Sequence, residues 1–345
     1  MQTLTEIREL LAAAGAAPNR RLGQNFLIDG NLMRAVIDAA ELDSARDVVL
    51  EVGAGTGSLT AMLAERAARV VAVETDKKLT PVLEEVLADR PTVAVFIRDV
   101  LAGKHAVAPE VMAAVADALD VVPGRPTSPG VGPRPAGAAP LTTGTAGRAP
   151  TVVPTGRDGL SVAPGETTKR VAVPGGRLKL VSNLPYAIAT PLVMNLLLGE
   201  PRPALLAFTV QKEVADRFAA QPRTGDYGPV SLVVQAVGRV ERLRDLSPNV
   251  FWPKPNVHST LVRLRVDAAR VAAVGDLDLF HRVAAGLFVH RRKTCLKSLE
   301  MAPDLRELRG RWPGLLAAAG IDPGDRGDTL TLEQVLALSR AAARG

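Results

Sequence analysis

The stretch LVSNLPYAIATP, Leu180 to Pro191, sets an amide, a rigid turn and an aromatic ring directly after an apolar run. That order of residue types suits the capture of a primary amine on an unstacked nucleobase. Such an amine is a poor nucleophile, because its lone pair is delocalised into the ring. Attack on a methyl group needs the nitrogen pushed toward a tetrahedral shape and aimed in line with the bond that breaks. Asn183 can accept one amine hydrogen through its side-chain oxygen, the carbonyl of Leu184 can accept the other, and Pro185 fixes the direction of that carbonyl. Tyr186 offers a face on which a base can lie, a contact worth roughly 1–3 kcal/mol. Neither a general base nor a metal is required; positioning and preorganised electrostatics carry the chemistry. The base must leave its stack, so the substrate is single-stranded, looped or flipped. For an isolated N-L-P-Y the competing reading is a proline turn with a buried tyrosine, and the rest of the chain decides between the two.

The stretch EVGAGTG places Gly53, Gly55 and Gly57 at alternate positions after the apolar run Val48-Val49-Leu50. Glycines let the backbone turn sharply and approach a ligand, and a following helix offers free N–H groups. Glu74 closes the next apolar run and can accept both hydroxyls of a ribose. Asp99 closes the third, where a carboxylate can accept from an adenine amine. One adenosine-bearing cofactor would lie across these three strand ends. The alternative, a tight turn with two solvated acids, loses ground once both acids follow in order. The spacing is G-x-G-x-G rather than G-x-G-x-x-G, and no G-K-[ST] is present, which favours S-adenosylmethionine (SAM) over NAD or ATP.

The elements that must hold these residues alternate. Apolar strands are expected at DVVLEV, RVVAVETD, TVAVFIRDV, RLKLVSN, ALLAFTV and VSLVVQAVG. Helices are expected over 3–16, 30–42, 79–90, 109–120, 190–198 and 211–220, with another after the glycine turn. This is the pattern of an α/β fold with a parallel sheet. Residues 121–177, rich in Pro, Gly, Ala, Thr and Val, read as a disordered insertion, with TVVP and RVAVP as a candidate local hairpin. From about 246 a Pro-punctuated loop leads to one more strand and then to helical sequence. The expected division is a main domain over 1–245, interrupted by the insertion, and a small helical domain over 246–345.

The bulk numbers are permissive. A chain of 345 residues with 47% hydrophobic content can bury a main core and a smaller one. A single cysteine, Cys295, excludes an intramolecular disulfide framework and suits a reducing compartment. Four scattered histidines give no metal-ligand spacing. The net charge of +6 allows a nucleic-acid partner without requiring one. No signal peptide or membrane-spanning run is visible, so a cytoplasmic protein is expected.

At this point the sequence resembles the small-subunit ribosomal RNA adenine N6,N6-dimethyltransferases. The resemblance rests on RRLGQNFLID, EVGAGTGSLT, VAVETD, RDVL, SNLPYAIATP, QKEVADRFAAQPRTGDYGPVSLVVQ, FWPKPNVHSTLVRL and FVHRRKTCLKSL, and covers most of the chain outside the insertion. It implies a Rossmann-like class I SAM-dependent methyltransferase domain with a small, mainly helical C-terminal domain. It further implies that Asn25 and Leu27 line the SAM pocket, Gly53 and Gly55 lie under the cofactor, Glu74 meets the ribose, Asp99 the adenine, and Asn183 both cofactor and substrate. Phe208 is a candidate for the second face of a base sandwich, with a core phenylalanine as the alternative. The implied target is a pair of adjacent adenosines in a hairpin loop near the 3′ end of small-subunit (16S) rRNA, each dimethylated, within an assembling 30S-type subunit. A monomer without metal or membrane is expected.

Arg291, Arg292 and Lys293, expected on a helix, and Arg20 and Arg21 beside the pocket segment are candidate phosphate contacts; solvated basic faces are the alternative. Phe251 and Trp252 read as anchors of the domain junction rather than as stacking platforms. The chain departs from the family at Ala187, where Asn is common, at His258, where an acid is usual, and at Lys297, often Asn. The insertion has no counterpart. Three rivals remain: the macrolide-resistance methyltransferases of large-subunit rRNA, which share N-L-P-Y; an assembly factor with the same fold; and a DNA adenine methyltransferase, which typically carries Pro where Leu184 stands.

Overall fold

The computed structural model describes residues 2–19, 22–103, 106–119, 173 and 175–344. The first half alternates as expected, with one short strand, β1, added in the entry segment: α1 (Leu4–Ala13), β1 (Phe26–Leu27), α2 (Gly30–Ala39), β2 (Asp47–Val52), α3 (Ser58–Ala64), β3 (Arg69–Glu74), α4 (Thr80–Leu87), β4 (Val93–Ile97) and α5 (Pro109–Ala118). Side chains set the helix starts. The Asp29 carboxylate accepts from the Leu32 N–H at the head of α2, and Thr3 and Glu6 form a reciprocal cap on α1.

After the insertion come β5 (Arg177–Asn183), α6 (Ala189–Leu198), β6 (Leu205–Gln211), α7 (Lys212–Ala219), α8 (Pro229–Val237), β7 (Gly238–Leu246), β8 (Phe251–Trp252) and β9 (Ser259–Val266). The chain ends in helices α9 (Ala268–Val274), α10 (Leu277–Phe288), α11 (Cys295–Glu300), α12 (Trp312–Ala318) and α13 (Leu332–Arg344).

Seven strands form one sheet in the order β4-β3-β2-β5-β6-β9-β7. The first five run parallel, and β9 lies antiparallel between β6 and β7. Every residue of β2 is buried, as befits a central strand covered on both faces. Its side chains alternate: Val48, Leu50 and Val52 face one core, Val49 the other. The order reverses at β2, and ligands of open α/β sheets bind at such a switch point, beyond the carboxyl ends of the strands. There β2 and β5 part: their register ends at Leu50↔Leu180, and the Val52 N–H turns to the Ser182 hydroxyl instead, at 2.8 Å. A buried pair, Lys179 to Asp47 at 2.6 Å, ties β5 to β2 at the opposite end, and Lys179 also donates to the carbonyls of Ala40 and Glu41.

Four expectations need correction. VSLVVQAVG is the helix α8, not a strand. The strand is the following charged segment, β7, at the sheet edge. Arg291, Arg292 and Lys293 lie in the turn between α10 and α11, not on a helix. The insertion does not reach residue 177: Arg177 opens β5, pairs with Asp47 in register and donates to its carboxylate at 2.9 Å, while Val173 is buried and bonded to the Ala118 carbonyl. The candidate hairpin of TVVP and RVAVP, Val173 apart, lies outside the described residues, as do Arg20 and Arg21. The sheet runs past the expected domain boundary at 245, because β9 supplies its penultimate strand.

Candidate active site

The glycine turn leaves β2 in a conformation that side chains resist. Gly53, Gly55 and Gly57 have φ of 83°, 60° and 78°. Space is short at all three as well: a Cβ on Gly53 would come within 3.1 Å of the Pro185 ring, one on Gly55 within 3.1 Å of the Phe26 ring, and one on Gly57 within 3.2 Å of the Val86 side chain. The turn is therefore pressed between the N-L-P-Y segment and the N-terminal segment. These three pieces line a cavity of about 210 Å³.

Asn25, Leu27, Gly53, Gly55, Glu74, Asp99, Asn183, Leu184, Pro185 and Tyr186 all line it, so the structure brings together ten residues that the sequence had singled out. Glu74 is fixed by the backbone: its carboxylate accepts from the N–H groups of Gly55, Thr75 and Asp76 at 2.8–2.9 Å. Burial raises its pKa, against the pull of those three bonds. Asp99 is exposed at the rim and accepts from the Leu101 N–H at 2.9 Å. Gln24, also in the lining, donates to Asp76 at 3.1 Å and so ties the N-terminal segment to the end of β3.

The N-L-P-Y segment is held from neighbouring strands. The Asn183 amide donates through Nδ2 to the Asn25 carbonyl at 2.8 Å, and its Oδ1 accepts from the Thr209 hydroxyl at 2.5 Å. The Leu184 N–H donates to the Thr209 carbonyl at 3.3 Å. The Tyr186 hydroxyl shares a 2.6 Å hydrogen bond with Ser259, and burial raises its pKa while that bond opposes the rise.

Phe208 does not reach the cavity. It is fully buried in the opposite core, edge-on to Phe218 with ring centroids 6.1 Å apart. Strand parity is the reason. Asn183 pairs with Thr209 and Ser182 with Phe208, so Thr209 shares the site face and Phe208 faces away. The alternative of a core phenylalanine holds, and the sandwich role is withdrawn. Phe251 is buried beside β1, and Trp252 stacks on Phe26 at 6.2 Å with Arg8 over its ring at 5.2 Å, the arrangement of anchors. Of the basic triplet, Arg291 donates to the Thr224 carbonyl at 3.1 Å and lies 3.9 Å from Asp328, whereas Arg292 and Lys293 are exposed.

Sequence reasoning missed Glu51. It lines the cavity yet is only 1% exposed, and its Oε2 has no hydrogen-bond partner among the described residues. Burial pushes its pKa up to about 8; the Thr60 hydroxyl, outside hydrogen-bond geometry, opposes this, and the neighbouring Glu74 charge adds to it. An acid inside an otherwise apolar run was the available signal. Thr209 and Ser259 were missed as well; Ser259 lies inside the FWPKPNVHSTLVRL block of the resemblance, whereas none of its blocks includes Thr209.

The chain is similar to known proteins over nearly its whole length. The profile of one family, described as Ribosomal RNA adenine dimethylase, matches residues 15–337. The chain belongs to that family. It is thus a methyltransferase of the class that dimethylates adenines in ribosomal RNA. Among curated relatives, the Ribosomal RNA small subunit methyltransferase A of Geobacillus thermodenitrificans is 34% identical, over 97% of this chain and 94% of its own. Its namesake from Pelotomaculum thermopropionicum is 36% identical, over 96% and 94%. Two solved structures share the fold: a dimethyladenosine transferase from Plasmodium falciparum (TM-score 0.58, 18% identity, 91% of this chain and 95% of that one) and the 23S rRNA methyltransferase ErmE (TM-score 0.53, 22%, 92% and 99%). The Rossmann-like methyltransferase architecture with a helical C-terminal part is therefore shown by both sheet and neighbours. Among the described residues no helix is long and apolar enough to cross a membrane, and no cluster of three or more His, Cys, Asp or Glu could hold a metal ion.

Proposed function

We propose that this enzyme uses SAM to dimethylate the N6 amines of two adjacent adenosines in the 3′-terminal hairpin loop of small-subunit rRNA, on an assembling 30S-type subunit. The observation that carries this reading is the Asn183 amide. It stands in one cavity with the glycine turn and Tyr186, held by Asn25 and Thr209. The near full-length relatives named as small-subunit enzymes support the choice of subunit over the large-subunit alternative.

The residues present fit SAM. Gly53 and Gly55 line the cavity as bare backbone at positive φ, Glu74 offers carboxylate oxygens to a ribose, and Asp99 offers one to an adenine amine. Asn25 and Leu27 would close the pocket from the N-terminal side. The orphaned Glu51 carboxyl suits the positive charge of an amino-acid ammonium. When bound, SAM supplies a methyl group on an electron-poor sulfonium.

Asn183 Oδ1 and the Leu184 carbonyl accept the target amine's two hydrogens, which draws the nitrogen toward a tetrahedral shape. Pro185 holds the carbonyl's direction, and Tyr186 receives the base. As the new N–C bond formed, the methyl–sulfur bond would break and leave a neutral thioether, and the amine's surplus proton would pass to water. Arg292 and Lys293, with Arg20, Arg21 and whatever part of Arg291 its internal contacts leave available, would meet RNA phosphates. We place the enzyme in the cytoplasm as a monomer.

The test incubates purified protein and labelled SAM with immature small subunits lacking the modification, with large subunits as the control, and reads adenosines by mass spectrometry. Dimethyladenosine at the two adjacent loop positions is the expected result. Transfer to large subunits alone would overturn the choice of target. Subunit binding without transfer would leave the assembly-factor reading in its place.

A further inference from the structure

Asn183 sits at a cavity wall, only partly buried, and an asparagine amide in that setting has two orientations of nearly equal shape. Only one presents an oxygen where an amine hydrogen needs an acceptor. The orientation is fixed by two bonds that come from elsewhere in the chain. The Asn25 carbonyl takes Nδ2–H at 2.8 Å, and the Thr209 hydroxyl gives its proton to Oδ1 at 2.5 Å. A flipped amide would set Oδ1 against the Asn25 carbonyl, oxygen to oxygen.

Thr209 is suited to hold this arrangement. It is fully buried on β6, so its hydroxyl has no water to turn to. Its β-branched side chain has little freedom at χ1. Its own carbonyl takes the Leu184 N–H, so one residue braces both the amide and the start of the Leu-Pro turn. A second buried hydroxyl, Ser259 on β9, holds the far end of the motif through the Tyr186 hydroxyl at 2.6 Å.

We propose that Thr209 and Ser259 are positioning residues for the methyl transfer, with divided tasks: Thr209 aims the acceptor that shapes the amine, and Ser259 holds the ring that receives the base. Neither touches the substrate. The proposal rests on the reading of the site as an adenine N6 methyltransferase, and it goes beyond that reading in splitting rate from binding. The Thr209 bond uses one lone pair of Oδ1 and leaves the other aimed for the amine, so its loss appears in the turnover step. The Ser259 bond orients a surface that binds ground state and transition state alike, so its loss appears in KM.

The experiment uses the full chain with SAM and unmodified small subunits, and compares wild type with Thr209→Val, Thr209→Ser and Ser259→Ala. It measures kcat, KM for subunits, SAM affinity by calorimetry and the thermal midpoint. Thr209→Val is expected to lower kcat about tenfold, with KM and SAM affinity within about twofold, while Thr209→Ser keeps at least about half the rate. Ser259→Ala is expected to raise KM by about threefold or more, with kcat within about twofold. Thr209→Val at wild-type kcat, Thr209→Ser as slow as Thr209→Val, or losses that track SAM affinity and thermal midpoint would each overturn the assignment and leave a structural role. Ser259→Ala acting on kcat alone would overturn the division of tasks. A wild-type enzyme that methylates no subunit adenine would overturn the underlying reading, and the proposal with it, and the wild-type arm shows this separately from any variant.

Discussion

The carboxyl ends of β2, β3 and β5 and the turn between α10 and α11 both carry conspicuous residues, yet they use them differently. In the first region the backbone organises the charges. Glu74 accepts three N–H groups, and the glycines adopt left-handed φ where neighbouring side chains would press on a Cβ. In the second region the charges stand at the surface, and Arg291 is already engaged with Thr224 and Asp328. A buried, preorganised group acts on a reacting atom; an exposed cation acts on a polyanion at a distance and is screened by salt. The two regions should therefore answer to different perturbations.

The largest effect is expected from Asn183→Ala. It removes the acceptor and leaves the buried Thr209 hydroxyl without its partner, and methyl transfer should fall by about 10²–10³ at saturating RNA, measured with labelled SAM, while SAM still binds. A loss that appears only in RNA affinity would erase the contrast between the regions. Gly53→Ala comes next. Its φ of 83° strains any side chain and the Pro185 ring at 3.1 Å would have to yield, so SAM affinity should drop by about tenfold or more in calorimetry, with a stability cost of about 1–3 kcal/mol. An unchanged affinity would mean that the turn does not cradle the cofactor. The double change Arg292→Ala with Lys293→Ala should leave kcat alone, raise KM, and make the log–log salt dependence of RNA binding shallower by about one for each phosphate contact removed. An unchanged slope would place the RNA elsewhere.

A further effect concerns protons and is read in stability rather than in methyl transfer. Glu51 titrates near 8 in the folded chain, against an ordinary value of 4.5 for a glutamate in water. Between those values the folded chain holds a proton that the unfolded chain has released, so stability falls as pH rises through that window. The ligand-free protein should melt at a lower temperature at pH 8 than at pH 5, the group adding up to about 1.4 kcal/mol per pH unit. Glu51→Gln should flatten that trend, as read by calorimetric melting. A variant with an unchanged trend would assign it to other groups.

Some errors in reading the sequence share a cause. Residues 230–237 are apolar nearly throughout, and α8 buries Leu232, Val233, Val234, Ala236 and Val237. Such a run has no face to reveal its period, so helix and strand look alike. The segment GRVERLRDL carries too many charges to announce a buried strand, because β7 is an edge strand whose charges pair across the surface: Arg263 donates to Glu241 at 2.5 Å, and Arg242 lies 2.7 Å from Asp216. The helix expected under the basic triplet fails because α10 ends at Phe288, and Thr294 caps a new helix, its hydroxyl accepting from the Lys297 N–H.

The sequence by itself determined the glycine turn, the acids of β3 and the segment beyond β4, and the N-L-P-Y segment. Each is a local strand-to-turn pattern, and a parallel sheet brings the ends of its strands to one side whatever lies between them. That topology carries Asn183 to the glycine turn across the long insertion. Tertiary structure alone decided which neighbours reach those residues. Thr209 meets Asn183 from 26 residues away through the register of β5 and β6, and Ser259 meets Tyr186 from 73 residues away, just beyond the end of β5. The same register turned Phe208 into the opposite core, and burial rather than composition gave Glu51 its raised pKa. A one-residue change of parity moves every side chain of a strand to the other face, and no local pattern in β6 fixes which parity the fold will choose.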